Sequence, residues 1–197
     1  MDFIVETTTP CQFILSQIAE SVAESSEASK LGLLTIADIC KERLRRVRTS
    51  LRQDLQLGAE EHDLGFRVLK VDSSNMKSVY YRPDEASAEL LGGLVDNIKD
   101  DRGDEDLLFQ VLLDWGVDLS LPITTETVGG KTVYFVDTNA LAACFETGIT
   151  EDFVKELAGR KPLRVVFRDS GYSGDDVKIN VEQIFKQLSP GTDVKTL

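Results

Sequence analysis

The stretch Ile123-Thr124-Thr125-Glu126-Thr127-Val128-Gly129-Gly130-Lys131-Thr132-Val133-Tyr134-Phe135-Val136 reads as two strands joined by a two-residue turn. Residues alternate in polarity on both sides of Gly129-Gly130, and a glycine pair tolerates the positive φ that both central positions of a tight hairpin need. Working outward toward the carboxy terminus, 140–145 predicts a third strand and Thr150 the N-cap of a helix running to about Gly159. A strand at 163–167, a helix at 175–188 and a closing strand at 194–197 follow. The turn Asp169-Ser170-Gly171-Tyr172-Ser173-Gly174 precedes the last helix, with Ser173 or Asp175 expected as its cap. Strands alternating with helices in this order make the region α/β.

Toward the amino terminus, two helices are expected. One covers 85–99, with Leu90, Leu91, Leu94, Val95 and Ile98 on one side; the other covers 105–115, with Leu107, Leu108, Val111, Leu112 and Trp115. The charged turn Asp100-Asp101-Arg102-Gly103-Asp104 between them predicts a helical hairpin. The stretch 73–84, with Tyr80, Tyr81 and Pro83, reads as a connection. The expected domains are therefore 1–83 and an acidic α/β carboxy-terminal domain, 84–197, with apolar material for its own core.

The first region is built around a basic helix expected at about 35–54. Thr35 is placed to cap it with Asp38 in its first turn, and Ile36, Ile39, Cys40, Leu44, Val47 and Leu51 recur at spacings of three and four. Lys41, Arg43, Arg45, Arg46, Arg48 and Arg52 fall within it against Glu42 alone, on a chain that holds 22 Lys and Arg, 34 Asp and Glu, and a net charge of -12. Arg45, Arg48 and Arg52 share a face, and Arg43 and Arg46 flank it. These five arginines are the candidate contact residues, for DNA phosphates, for an acidic surface of the same or a partner chain, or as a plain solvated face. Strand-like runs at 12–18 and 65–72 bracket the helix, so strand, helix and strand outline a βαβ unit with the helix packed on both strands. Such a sheet lacks neighbours within the chain.

Composition limits the chemistry. With 197 residues the chain suits one domain or two small ones, and no apolar stretch approaches the length of a membrane span. The first residues carry neither a basic nor an apolar leader, and Cys11, Cys40 and Cys144 are too scattered for a disulfide framework, so a reducing cytoplasm is expected. One histidine, His62, stands in the acidic run Glu60-Glu61-His62-Asp63 and reads as a solvated loop residue. No zinc ligand set assembles around it. Gly130-Lys131-Thr132 imitates the end of a phosphate loop, but Thr125 occupies the place of the first glycine and the run lies in a hairpin. The serines of 169–174 have no histidine to activate them. Asp137, Glu146 and Asp169 fall near strand ends and read as solvated caps. The acidic balance also disfavours non-specific coating of nucleic acid.

Several runs carry a resemblance to a known family. Gln12-Phe13-Ile14-Leu15-Ser16-Gln17-Ile18, Ser26-Glu27-Ala28-Ser29-Lys30-Leu31-Gly32 and Thr35-Ile36-Ala37-Asp38-Ile39-Cys40-Lys41-Glu42-Arg43-Leu44-Arg45-Arg46-Val47 resemble the carboxy-terminal part of type III restriction–modification methyltransferase (Mod) subunits. The likeness continues through Gly65-Phe66-Arg67-Val68-Leu69-Lys70-Val71-Asp72-Ser73-Ser74-Asn75, Asp104-Glu105-Asp106-Leu107-Leu108-Phe109-Gln110 and Lys161-Pro162-Leu163-Arg164-Val165-Val166-Phe167-Arg168-Asp169-Ser170-Gly171. The resemblance implies part of an adenine-N6, S-adenosylmethionine-dependent DNA methyltransferase: a partial methyltransferase-type βαβ edge followed by a small α/β domain. The family's D-P-P-Y catalytic motif and F-x-G-x-G cofactor loop do not occur in these 197 residues, so no catalytic, cofactor-binding or metal residue is carried over. A truncated or split gene product, inactive and without cofactor alone, is expected. Its implied role is assembly, through homo-oligomerisation and docking of methyltransferase or restriction subunits, with DNA contact through the basic helix as an option. A free-standing interaction or regulatory protein derived from such a tail is the alternative.

Overall fold

The computed structural model describes residues 13–54, 64–77 and 97–197. The chain divides into two units, 1–68 and 69–197. The second holds a five-stranded mixed sheet with strands side by side in chain order: β1 (Ile123–Val128), β2 (Lys131–Val136), β3 (Leu141–Cys144), β4 (Arg164–Phe167) and β5 (Asp193–Thr196). The β1–β2 hairpin forms as the sequence predicts, with Val128 opposite Lys131. Gly129 and Gly130 have φ of 52° and 80°, where a side chain on either residue would be strained. A Cβ on Gly129 would also stand 3.1 Å from the Phe153 ring, so the turn is held tight against the helix that carries Phe153.

β2 and β3 are antiparallel, while β3, β4 and β5 are parallel. Parallel neighbours require crossovers, and two helices supply them: α4 (Glu151–Gly159) from β3 to β4 and α5 (Asp175–Leu188) from β4 to β5. Both cover one face, where Val133, Phe135, Ala142, Cys144, Val165 and Phe167 meet Phe153, Val154, Leu157, Val181 and Phe185. The other face carries α3 (Asp104–Asp114), whose Leu107, Leu108, Val111 and Leu112 pack on Val136, Leu141, Ala143 and Val166. Being covered on both faces explains why 141–145 and 165–167 are continuous apolar runs instead of alternating ones.

Three details of this unit differ from the sequence reading. Gly174, not Ser173 or Asp175, is the N-cap residue of α5, and no side chain caps it; a short 3₁₀ turn, Asp169–Gly171, absorbs the change of direction before it. A Cβ on Gly171 would approach the Glu146 carbonyl to 2.9 Å, so this turn also needs its glycine. Third, 97–99 is not helical. Ile98 bridges Met76 in antiparallel fashion, with N–H to carbonyl bonds from Lys77 to Asn97 (2.7 Å) and from Lys99 to Asn75 (2.9 Å). Ile98 reaches the core from this extended pair, where the reading placed it on a helix. The rest of the expected helix at 85–99, the first arm of the helical hairpin, and the expected boundary at 83/84 lie outside the described residues, as do His62 and Cys11.

In the first unit, α1 (Glu27–Lys30) follows a Ser26 cap, and α2 (Ile36–Asp54) matches the expected basic helix. A bridge between Ser21 and Thr35 ties the approach to α2. The strands expected at 12–18 and 65–72 do not form over their described residues, 13–18 and 65–72. Residues 13–18 and 64–72 are without regular structure and most of their apolar side chains are exposed, Ile14 to 95% and Val71 to 99%, while Leu64 and Phe66 are half-buried. A strand exists only within a ladder, and neither run is part of the described sheet. Among the described residues the apolar side of α2 therefore has no sheet of its own unit to pack on. Ile39, Cys40, Leu44, Val47 and Leu51 are half-buried, and no described residue of this unit is fully buried.

Candidate functional site

The Thr35 hydroxyl accepts the Asp38 N–H at 3.1 Å, and the Asp38 carboxylate accepts the Thr35 N–H at 3.0 Å. This reciprocal cap satisfies two of the backbone donors that a helix start leaves unpaired. Asp38 also pairs with Lys41 at 2.7 Å, and that contact, with the Thr35 bonds, lowers the carboxyl pKa to about 2. The start of the basic helix is thus fixed by this local cap together with the bond from the Ile36 N–H to the Glu20 carbonyl at 2.9 Å.

Along α2, Glu42 engages two of the candidate arginines. Arg46 Nε donates to it at 2.8 Å and Arg45 approaches to 4.0 Å. Arg43, Arg48 and Arg52 have no carboxylate partner among the described residues. Helical geometry puts Arg43 about 160° round the axis from Arg45, so the five candidates do not form one patch. Those that come together are Arg45, Arg48 and Arg52, which line an open concavity with Thr49 and Gln53. From Arg45 to Arg52 the face is about 10 Å long. Three guanidinium groups on it can hold phosphate oxygens or carboxylates, since each presents a planar fork of donors to two oxygens.

The remaining chemistry-bearing residues are engaged structurally. The Thr132 side chain and its N–H, the latter at 2.8 Å, both hydrogen-bond the Glu146 carboxylate, which lowers its pKa and binds β2 to the end of β3. Asp169 pairs with Lys178 at 2.6 Å. Asp137 has φ of 47° in the turn after β2, where its N–H bonds the Pro122 carbonyl. Asp104 is raised, first by burial and then by the nearby charge of Glu146. Burial pushes the Cys144 thiol up to about 11, which makes it a core residue and a poor nucleophile. Among the described residues no group of three or more His, Cys, Asp or Glu could hold a metal ion, and no helix is long and apolar enough to cross a membrane.

Sequence reasoning missed one cluster. Trp115 at the end of α3 has Lys195 Nζ 4.7 Å and Arg164 Cζ 5.6 Å from its ring centroid. Three separate elements contribute to it, so no local pattern announces it. Comparison with protein-family models and with curated proteins finds no match to the chain.

Proposed function

We propose that the chain is a non-catalytic, carboxy-terminal portion of a type III restriction–modification adenine-N6 DNA methyltransferase, acting in the cytoplasm in assembly with methyltransferase and restriction subunits. The observation that carries this reading is the pair of strand-like segments bracketing α2. Both have the alternating or apolar pattern of sheet strands, neither belongs to the described sheet, and both lie in the runs that resemble the Mod family. They are what the edge of a larger sheet looks like without its neighbours. The face of Arg45, Arg48 and Arg52 adds a docking charge that contrasts with the acidic remainder. S-adenosylmethionine belongs to the intact family, and neither the F-x-G-x-G loop that cradles it nor the D-P-P-Y motif that serves a flipped adenine occurs in these 197 residues.

The test is direct. Calorimetry and a methyl-transfer assay on the purified chain should give no cofactor binding and no methylation. Co-expression with a polypeptide carrying D-P-P-Y and F-x-G-x-G should give a complex that survives purification. Micromolar binding of S-adenosylmethionine by the chain alone would contradict the non-catalytic reading. Failure to form the complex would favour the free-standing interaction protein, for which the two-sided core of the second unit is the supporting observation.

A further inference from the structure

The outer edge of β5 is open among the described residues. β5 pairs with β4 alone. The N–H groups of Asp193 and Leu197 go to the carbonyls of Leu163 and Phe167, and the Leu197 carbonyl takes the Asp169 N–H. In a parallel pair every second residue bonds toward the same neighbour, so Val194 and Thr196 direct their N–H and C=O groups away from β4. A lysine on an edge strand ordinarily guards against further pairing by holding a hydrated charge across the edge. Lys195 is instead folded back over the Trp115 ring, next to Arg164, whose guanidinium also donates to the Trp115 carbonyl at 3.4 Å. Neither Lys195 nor Arg164 meets a carboxylate among the described residues, although the chain has 34 acidic side chains.

We propose that this edge is a docking site for an extended acidic segment of another protein, which adds as a sixth strand beside β5. The backbone of the incoming segment bonds to Val194 and Thr196, and a carboxylate on its α3-facing side lies across from Lys195, within reach of Arg164. The two cations on Trp115 set the selection for acidic residues, because they are the charge the incoming side chains meet at close range, inside the screening length that damps the repulsion of the acidic body. The proposal goes beyond the methyltransferase reading and does not depend on it.

Trp115 is the chain's only tryptophan, so it reports on the site in the full chain. The probe is an eight-residue peptide alternating Val and Thr with Glu, compared with the same peptide carrying Lys in place of Glu. The Glu peptide should shift Trp115 emission saturably at micromolar concentration and slow amide exchange at Val194 and Thr196. The Lys peptide should bind about tenfold more weakly or worse, as should the Lys195→Glu variant with the Glu peptide. Thr196→Pro removes one outward N–H at an exposed position and leaves the bonds to β4 in place, so it should keep the circular dichroism spectrum and lose binding. No saturable shift with the Glu peptide, equal binding of both peptides, or full binding by a folded Thr196→Pro variant would each overturn the proposal. So would a concentration-dependent shift without peptide that Thr196→Pro abolishes, because a second copy of the chain would then be the occupant.

Discussion

At the scale of single residues, Phe167 shows how much of the second unit rests on a few contacts. Its ring is fully buried, 6.5 Å from Phe153, 6.4 Å from Phe185 and 5.8 Å from Tyr172 between centroids, so one side chain joins β4 to both crossover helices and to the turn after it. We predict that Phe167→Ala costs about 3–5 kcal/mol in urea denaturation, the range for emptying a buried aromatic site. Ile36→Ala, at a residue 36% exposed in the first unit, should change the same transition by less than about 1 kcal/mol. Glu146 acts through charge. Its carboxyl is held below the usual value by the Thr132 hydrogen bonds, so its contribution is fully present above the unfolded pKa and is lost as pH falls through the lowered folded value. Glu146→Gln should therefore lower stability by about 1 kcal/mol at pH 7, discounted for its partial exposure, and by progressively less in titrations below pH 4.

At the scale of elements, legibility depended on whether the signal is local. The Gly129-Gly130 hairpin and the start of α2 at Thr35 and Asp38 were readable because turn chemistry and a capping pair are complete within a few residues. Strands at 12–18 and 65–72 gave the same apolar signal as β3 and β4, yet a strand is an object with two partners and the pattern of one partner cannot say whether the other exists. Ile98 misled in another way. It extends the spacing of Leu94 and Val95, and periodicity does not distinguish a buried residue on a helix from one in a bridge. For the site, the shared face of Arg45, Arg48 and Arg52 follows from helical spacing, whereas the diversion of Arg46 to Glu42 required coordinates. The triple variant with Ala at 45, 48 and 52 should keep the helix content of α2, since the cap lies outside the substituted turns. It should weaken assembly with the methyltransferase polypeptide by roughly 10- to 100-fold, as expected for three partly exposed charge contacts. Analytical ultracentrifugation of the mixture reads this out. An effect confined to DNA binding, uniform across sequences and with a flattened salt dependence, would instead assign the face to phosphates.

At the scale of the whole molecule, burial is concentrated in one unit. Every described residue that is buried lies between Ile98 and Ser189, where helices cover both faces of a sheet. Limited proteolysis should therefore leave a resistant fragment that begins between about residue 69 and residue 97 and retains the five strands, with cleavage first in the exposed 13–20 and 64–71 stretches. The two strand-like stretches that stand outside the described sheet bear the central claim, that this chain completes its structure as the edge of a methyltransferase sheet. The measurement that tests it most directly is hydrogen exchange at 13–18 and 64–71, taken on the chain alone and again with a polypeptide carrying D-P-P-Y and F-x-G-x-G. The account predicts fast exchange at both segments alone and slowing of about a hundredfold or more at alternate amides in the complex, the pattern of residues recruited into a ladder. Exchange that stays fast at both segments in a mixture shown by sedimentation to be fully complexed would contradict it.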